Sequence, residues 1–388
     1  MANLYDKASF IFTANAYSAS RLFSIKPING TGDLTFSRAS SKTRVNSSGV
    51  IQVISNNVPA LNYSTSLSCP TLLLEPARSN LFWPSDSGRS GSQSISASND
   101  WGIGLINKTT IWNSGSSGVV YYTSSPNTLQ TSSVYTVSCY VKIIDGQTGT
   151  PVFGSGDNSQ GYFSVAGGAL SDNTLYRKIP LGDNVWKISG TLTSGTSNVN
   201  NSGFLRWTNN RTGSSGTGSI EISGLQIEAS PLETSYIPTT VGAVTRLGDF
   251  LSGSISFSEN IGSIFIDIAP SITGSVAGIN NAVVSIGDFQ IRGNNTGSWQ
   301  FYYDFADRGT PAVFKANRTK YLYTFNSSSI SAFANGVLLQ SSTNRTTAVA
   351  PSSIIINTNV PSTSFPLNSI ITFDRVLSSA EAIALTTL

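Results

Sequence analysis

Two pairs of acidic residues lie close enough along the chain to share a reaction, Asp304 with Asp307 and Glu221 with Glu228. Paired carboxylates about 5–9 Å apart hydrolyse glycosidic bonds when one of them is kept protonated. Asp304 and Asp307, three apart, fall on opposite faces of a strand or in a turn, which suits that geometry poorly. The 388 residues include no histidine. Its absence removes Ser-His-Asp and Cys-His nucleophiles, histidine general bases and every His-ligated metal site. No catalytic residue is therefore expected. Cys69 and Cys139 lack the C-x-x-C spacing of zinc sites and redox pairs. Cys139 alternates with Tyr135, Val137 and Val141 in SVYTVSCYVK and reads as a buried strand thiol, with a Cys69–Cys139 disulfide as the alternative.

Aromatic side chains offer a second chemistry. A tryptophan face stacks on the C–H groups of a sugar while amides or carboxylates beside it bond the hydroxyls. Trp101 in SNDWGIG, Trp112 in TIWNSG and Trp207 in LRWTNN each have Asn or Asp nearby and little apolar alternation around them. They are the glycan-binding candidates, each with a core or loop-anchor role as the alternative. Trp186 alternates with Ile188 and reads as core. In WQFYYDFADRG, Phe301, Tyr303 and Phe305 share one strand face, Tyr302 and Asp304 the other. No D-x-D-x-D-G loop is present, so no metal ligand is named, although a structural calcium suits sandwiches of this kind; no other cofactor is expected.

The stretch FSRASSKTRVNSSGVI carries Arg38, Lys42 and Arg44, and no acidic residue follows until Glu75. Three bases fall short of the roughly six to ten phosphate contacts of a nucleic-acid binder, and no aromatic residue interleaves them. Net charge is only +3. No nucleic-acid partner is expected. Charged residues make up 11% of the chain, less than half the roughly 25% of an ordinary soluble domain, and Gly, Ser, Thr and Asn take their place. No window approaches the ~18 apolar residues of a membrane span, so no membrane insertion is expected, and MANLYDKASF does not read as a signal peptide.

The elements that must position these residues read almost wholly as β. Period-2 alternation marks strands in VWKISGTLT, GSIFIDIAP and KYLYTF, and Asn335-Gly336 predicts a type I′ hairpin. In SIEISGLQIEAS the apolar phase slips at Gly224, which predicts a bulge or bend. Only DRVLSSAEAIALTTL reads as a helix, begun by a capping box of Ser378 and Glu381. The expected fold is all-β: an N-terminal extended segment plus two β-sandwich or jelly-roll domains, with one short C-terminal helix. The boundaries fall at 1–85 for an N-terminal attachment and framework segment, 86–245 for the first sandwich and 255–388 for the second. Residues 88–100 read as a linker or long loop, and 237–253 as the separator between the two strand-rich blocks. The first segment is short for a core of its own and is expected to pack against a neighbour or another subunit.

In order along residues 33–249 come SRASSKTRVNSSGVI, NNVPALNY, CPTLLLEPARSNLF, WKISGTL and LQIEASPLETSYIPTTVGAVTRLGD. Together they resemble the recurrent N-terminal and carbohydrate-binding-module-like jelly-roll region of tailed-bacteriophage virion proteins. Residues 255–388 resemble a concanavalin- or laminin-G-like jelly roll, through the hairpin YTFNSSSISAFANGVLLQ and the ending SIITFDRVLSSAEAIAL. The resemblance implies a head fibre, tail fibre or spike, made in the bacterial host cytoplasm and exposed on the virion. It implies a homo-oligomer, trimer favoured and dimer next, with other capsid or tail proteins as partners and a host cell-surface glycan as the ligand to be bound. A polysaccharide depolymerase tailspike and a purely structural capsid-decorating protein are the alternatives. Glu228 then belongs to a structural exit element. Arg38, Arg44, Glu75 and Arg78 become framework or assembly residues, with Arg38 and Arg44 paired to Asp33, Glu75 or backbone carbonyls, within the subunit or across an interface.

Overall fold

The computed structural model describes residues 4–63, 69–85, 95–98, 101, 104, 107–112, 119–122, 130, 132–143, 152–154, 165–166, 169–170, 176–193, 205–208, 218–270, 282–287, 289–293, 298–303, 306–307, 313–314, 318–343, 345, 349–358 and 364–388. The chain is all-β, and among the described residues it has one α-helix, the C-terminal Ser379–Thr386, besides a short 3-10 turn at Leu4–Lys7. Its strands pair antiparallel throughout.

The larger sandwich is built from both ends of the chain. Its back sheet runs from Phe365–Phe373 through Gly262–Ile268, Thr319–Phe325 and Ile330–Ala334 to Val337–Ser342. The front sheet runs from Arg21–Lys26 through Leu34–Ser37, Phe250–Ser254, Ser353–Asn357 and Ala282–Ile286 to Phe289–Gly293 and Ser298–Tyr303. Phe10–Ser18 belongs to both, pairing with Phe365–Phe373 on one side and Arg21–Lys26 on the other. Thr71–Leu74 also pairs with Phe365–Phe373. The N-terminal segment therefore packs on residues 250–388, and Phe10, Phe12, Leu22, Leu34, Phe36, Leu72 and Leu74 share one core with Leu251, Ile264, Ile266 and Ile370.

Local chemistry explains the elements. Asn335 and Gly336 take positive φ, as the predicted hairpin requires. Ser378 accepts from the Glu381 backbone while the Glu381 side chain accepts from Ser378, the predicted capping box. The helix lays Ala382 and Leu385 over Phe265, Leu322, Phe333 and Ile371. That cover makes Gly262–Ile268 buried at every position, with Ile264 and Ile266 on the sandwich core and Phe265 under the helix.

The middle of the chain forms a six-stranded sheet ordered Tyr176–Gly182, Val185–Thr193, Val134–Ile143, Gly218–Glu228, Asn107–Trp112 and Ile95–Ser98. Ile95–Ser98 is thus an edge strand where a linker or long loop was expected. A three-stranded sheet holds Val119–Tyr122, Leu205–Thr208 and Val152–Gly154. Gly224 has φ +62, and the register there sets two residues, 224 and 225, against Cys139 alone, which is the predicted bulge. Cys139 is buried and Cys69 exposed, and no disulfide joins them.

Candidate functional site

Residues 230–239 form no regular strand, yet Leu232, Glu233, Thr234, Tyr236, Ile237 and Thr239 are buried. Irregular buried backbone needs its polar groups paired. Polar side chains of the six-stranded sheet pair them. Thr136 donates to the Ser230 carbonyl at 2.6 Å, Thr191 to that of Pro231 at 3.1 Å and Lys187 to that of Thr234 at 3.2 Å. Glu228 accepts from the Thr234 amide at 2.9 Å and its hydroxyl at 2.6 Å, and Gln226 accepts from the Ile237 amide at 2.7 Å. From the N-terminal side, Asn80 donates to the Ile237 carbonyl at 2.9 Å, Thr43 to that of Tyr236 at 2.6 Å, and Ser85 bonds the Tyr236 hydroxyl. The segment is a strap bonded across one sheet face. This explains how Thr136, Ser138 and Gln226 are buried opposite the apolar face of Val137, Cys139 and Val141.

The strap leads into a line of buried charges of alternating sign. Arg38 Nη1 lies 3.1 Å from Asp249 Oδ1, and Lys42 Nζ lies 2.7 Å from Asp249 Oδ2. The same Lys42 Nζ is 3.0 Å from Glu75 Oε2, which Arg246 Nη1 approaches to 2.7 Å. All five side chains are buried. Further bonds go to backbone: Arg38 donates to the carbonyls of Ser40, Ser55 and Val58, Lys42 to that of Leu73, and Arg246 to that of Pro76. Glu75 accepts from the Ser235 amide and hydroxyl, and Asp249 from the Glu75 amide. Thr358 closes the group from the C-terminal half, donating to the carbonyls of Glu75 at 2.7 Å and Asp249 at 3.0 Å.

Burial by itself would raise the Glu75 carboxyl, but the charges of Arg246 and Lys42 and the Ser235 hydroxyl hold it well below the usual carboxylate range. Burial lowers Arg38, against the pull of Asp249. Burial raises Glu228, against the hydrogen bonds from Thr234. Such a cluster is costly to desolvate and costlier to break, because loss of one partner leaves a buried charge uncompensated. It pins the Leu34–Ser37 end, the Thr71–Leu74 end, the strap and the start of Phe250–Ser254 at one point. Residues 237–253, expected to separate two blocks, instead carry Arg246 and Asp249 into this joint.

Among the framework candidates, Arg38 and Glu75 sit in the cluster, each paired within the chain, though not with each other. Asp33 pairs elsewhere, with Arg21. Arg44 is half-buried on the hairpin Lys42–Val45/Ile51–Ile54, where it donates to its cross-strand partner Gln52 at 3.3 Å. Arg78 lies opposite Arg246 in the pairing of Arg78–Asn80 with Val244–Arg246. Burial lowers its pKa, with Glu228 opposing. Sequence reasoning named Lys42 among the three bases of its stretch without giving it a partner, and missed Arg246, Asp249 and Ser235. The available signal was charge embedded in otherwise uncharged sequence.

Of the glycan candidates, Trp101 is half-buried and packs beside Ile51, Tyr140, Val185 and Tyr236, as a loop anchor does. Trp112 and Trp207 end or lie within the strands Asn107–Trp112 and Leu205–Thr208, and their side chains lie outside the described residues. Glu221 and Glu228 occupy one strand seven positions apart, roughly 20 Å at the strand rise and beyond joint action on one bond. Asp304 lies outside the described residues. Among the described residues no group of three or more acidic or cysteine side chains gathers to hold a metal ion.

No family model matches the chain, and no curated protein matches it. Some solved structures are similar to part of this chain at a low level. The CBM40 module of the Ruminococcus gnavus IT-sialidase is 16% identical, with 33% of this chain and 83% of that module covered and a TM-score of 0.25. Domain 4 of AbnA, a GH43 extracellular arabinanase from Geobacillus stearothermophilus, is 14% identical, with 40% and 82% covered and a TM-score of 0.27. A Trypanosoma rangeli sialidase mutant is 14% identical with a TM-score of 0.27, and the matched part spans 22% of its length. Likenesses of this size say nothing of ligand or activity.

Proposed function

We propose that this chain is a structural component of a tailed-phage particle, a head fibre, tail fibre or spike. It displays its β-sandwiches on the virion as a homo-oligomer and offers them to host-surface glycans. One observation carries the reading: the stretches that resemble the virion proteins, around Arg38 and Lys42, around Glu75 and around Ser235 to Asp249, meet in one buried joint. Residues spread over the sequence that meet as framework are what a shared structural module requires. Their charges pair with one another and with backbone, which supports a framework role. The sparsely charged, hydroxyl-rich composition suits a displayed particle component that must avoid non-specific adhesion.

Antibody labelling of intact particles in the electron microscope, with mass spectrometry of purified virions, should find the chain on the particle surface. Its absence from washed particles would sink the reading. The glycan part is separate. On an array of host-surface glycans, Trp112→Ala and Trp207→Ala should lose the signal of the unaltered protein. No signal from the unaltered protein would leave the purely structural, capsid-decorating role, and release of reducing ends from host polysaccharide would favour a depolymerase.

A further inference from the structure

The back sheet ends on Val337–Ser342. This strand pairs along one side with Ile330–Ala334, and among the described residues no strand lies along the other. Its sequence, VLLQSS, has no charge and no proline. Exposed edges are normally blunted by Lys, Pro or a bulge, because their open amides and carbonyls recruit other strands. The six-stranded sheet shows that protection at Tyr176–Gly182, an edge strand with Arg177, Lys178 and Pro180 and a register shift beside the proline. The Val337–Ser342 edge carries a register shift of its own at Leu339 but neither charge nor proline, and Val337 and Leu338 are 59% and 47% exposed. The helix ends at the same corner, where the Gly336 amide donates to Thr386 Oγ1 at 3.1 Å, and it leaves Ile383 and Leu388 exposed. An open edge thus lies beside an apolar corner.

We infer that Val337–Ser342 is a self-association edge: it pairs antiparallel with the same strand of a second copy about a two-fold axis, continuing the back sheet from one copy into the other. A second copy fits for two reasons. Two uncharged identical strands meet without like-charge opposition, and a two-fold pairing uses both open edges at once, so association stops at two instead of growing into a fibril. The register shift that leaves Leu339 without a cross-strand partner adds local twist, which sets the angle at which the second sheet continues the first. The inference rests on the homo-oligomer part of the proposed function, which it deepens by naming the surface and fixing the number at two.

Light scattering on the full chain at micromolar concentration should give twice the 41.0 kDa subunit mass. Leu338→Lys and Leu338→Glu, each checked for unchanged circular dichroism, should each fall to the single-subunit mass, and their equimolar mixture should return to the doubled mass. On the unaltered protein, hydrogen exchange at the 337–341 amides should slow as concentration rises across the association range. A trimer mass, or doubled mass in both separate variants, would overturn the assignment while leaving an oligomeric virion protein intact. A single-subunit mass for the unaltered protein, with exchange independent of concentration, would overturn both the edge and the homo-oligomer. Particle labelling reads the virion assignment independently of all these outcomes.

Discussion

Asp249 accepts from Arg38, from Lys42 and from the Glu75 amide, so neutralising it leaves two buried cations short of a partner. Asp249→Asn should cost about 3–5 kcal/mol, seen as a lower denaturant midpoint at unchanged slope. A loss under about 1 kcal/mol would mean that the cluster is far better solvated than its burial implies. The two neighbouring glutamates respond to pH with opposite sign. Glu75 titrates lower in the folded chain than unfolded, so its stabilisation is complete above about pH 4.3 and is lost as pH falls toward the folded value. Glu228 titrates higher when folded, so its contribution is present below about pH 4.3 and is lost as pH rises through the folded value. Stability measured against pH should therefore lose part of its acid-side fall in Glu75→Gln, and part of its decline above about pH 4.3 in Glu228→Gln. The basic character of FSRASSKTRVNSSGVI was legible in the sequence, and so was its poor fit to a polyanion. The partners were not, because Arg38 and Asp249 lie 211 positions apart and no local pattern links them.

At the scale of elements, features set by neighbouring residues were legible. Asn335-Gly336, the bulge at Gly224 and the capping box of Ser378 with Glu381 all need special φ or a hydrogen bond within a few residues. Removing the cap in Ser378→Ala should cost about 1 kcal/mol in thermal or denaturant unfolding. What the sequence did not disclose is where one element docks on another. Gly104 has φ +81, and a Cβ there would stand 2.3 Å from the Ile51 carbonyl oxygen, so the backbone beside Trp101 lies directly on the Lys42–Val45/Ile51–Ile54 hairpin. Gly49 has φ +77 but open space around it. Gly49→Ala should therefore cost only backbone strain, about 1–2 kcal/mol. Gly104→Ala should cost more and lift Trp101 off Ile51 and Tyr140, shifting tryptophan emission to the red, a shift that disappears in a Trp101→Phe background. Equal costs for the two glycines, with no spectral change, would mean that the loop is not anchored at this point.

For the molecule as a whole, alternation marked strands such as Gly262–Ile268 and Thr319–Phe325 but could not say that residues 10–74 and 250–388 complete each other. Each strand reads as half-buried from its own alternation, whereas the pairing of Ser9 with Thr372 spans 363 positions and depends on the whole chain. The middle sheets enter between two parts of one sandwich, and the buried ion cluster lies where the chain leaves that sandwich and returns. Without its N-terminus the larger sandwich loses Phe10, Phe12, Leu22, Leu34, Phe36, Leu61, Leu72 and Leu74 from its core. At about 1.5–3 kcal/mol for each buried side chain, the loss is on the order of 12–24 kcal/mol, more than the ~5–15 kcal/mol that holds a domain folded. Residues 250–388 expressed alone should therefore show no cooperative unfolding transition and no fixed aromatic environment by near-ultraviolet circular dichroism. Joining residues 1–85 directly to 249–388 should restore both, because that chain holds both halves of the core together with Arg38, Lys42, Glu75 and Asp249. Arg246 and the strap would be missing, so the restored sandwich should unfold at lower denaturant than the same part of the full chain. A cooperative transition from 250–388 alone would show that the N-terminal strands decorate a self-sufficient sandwich and do not complete it.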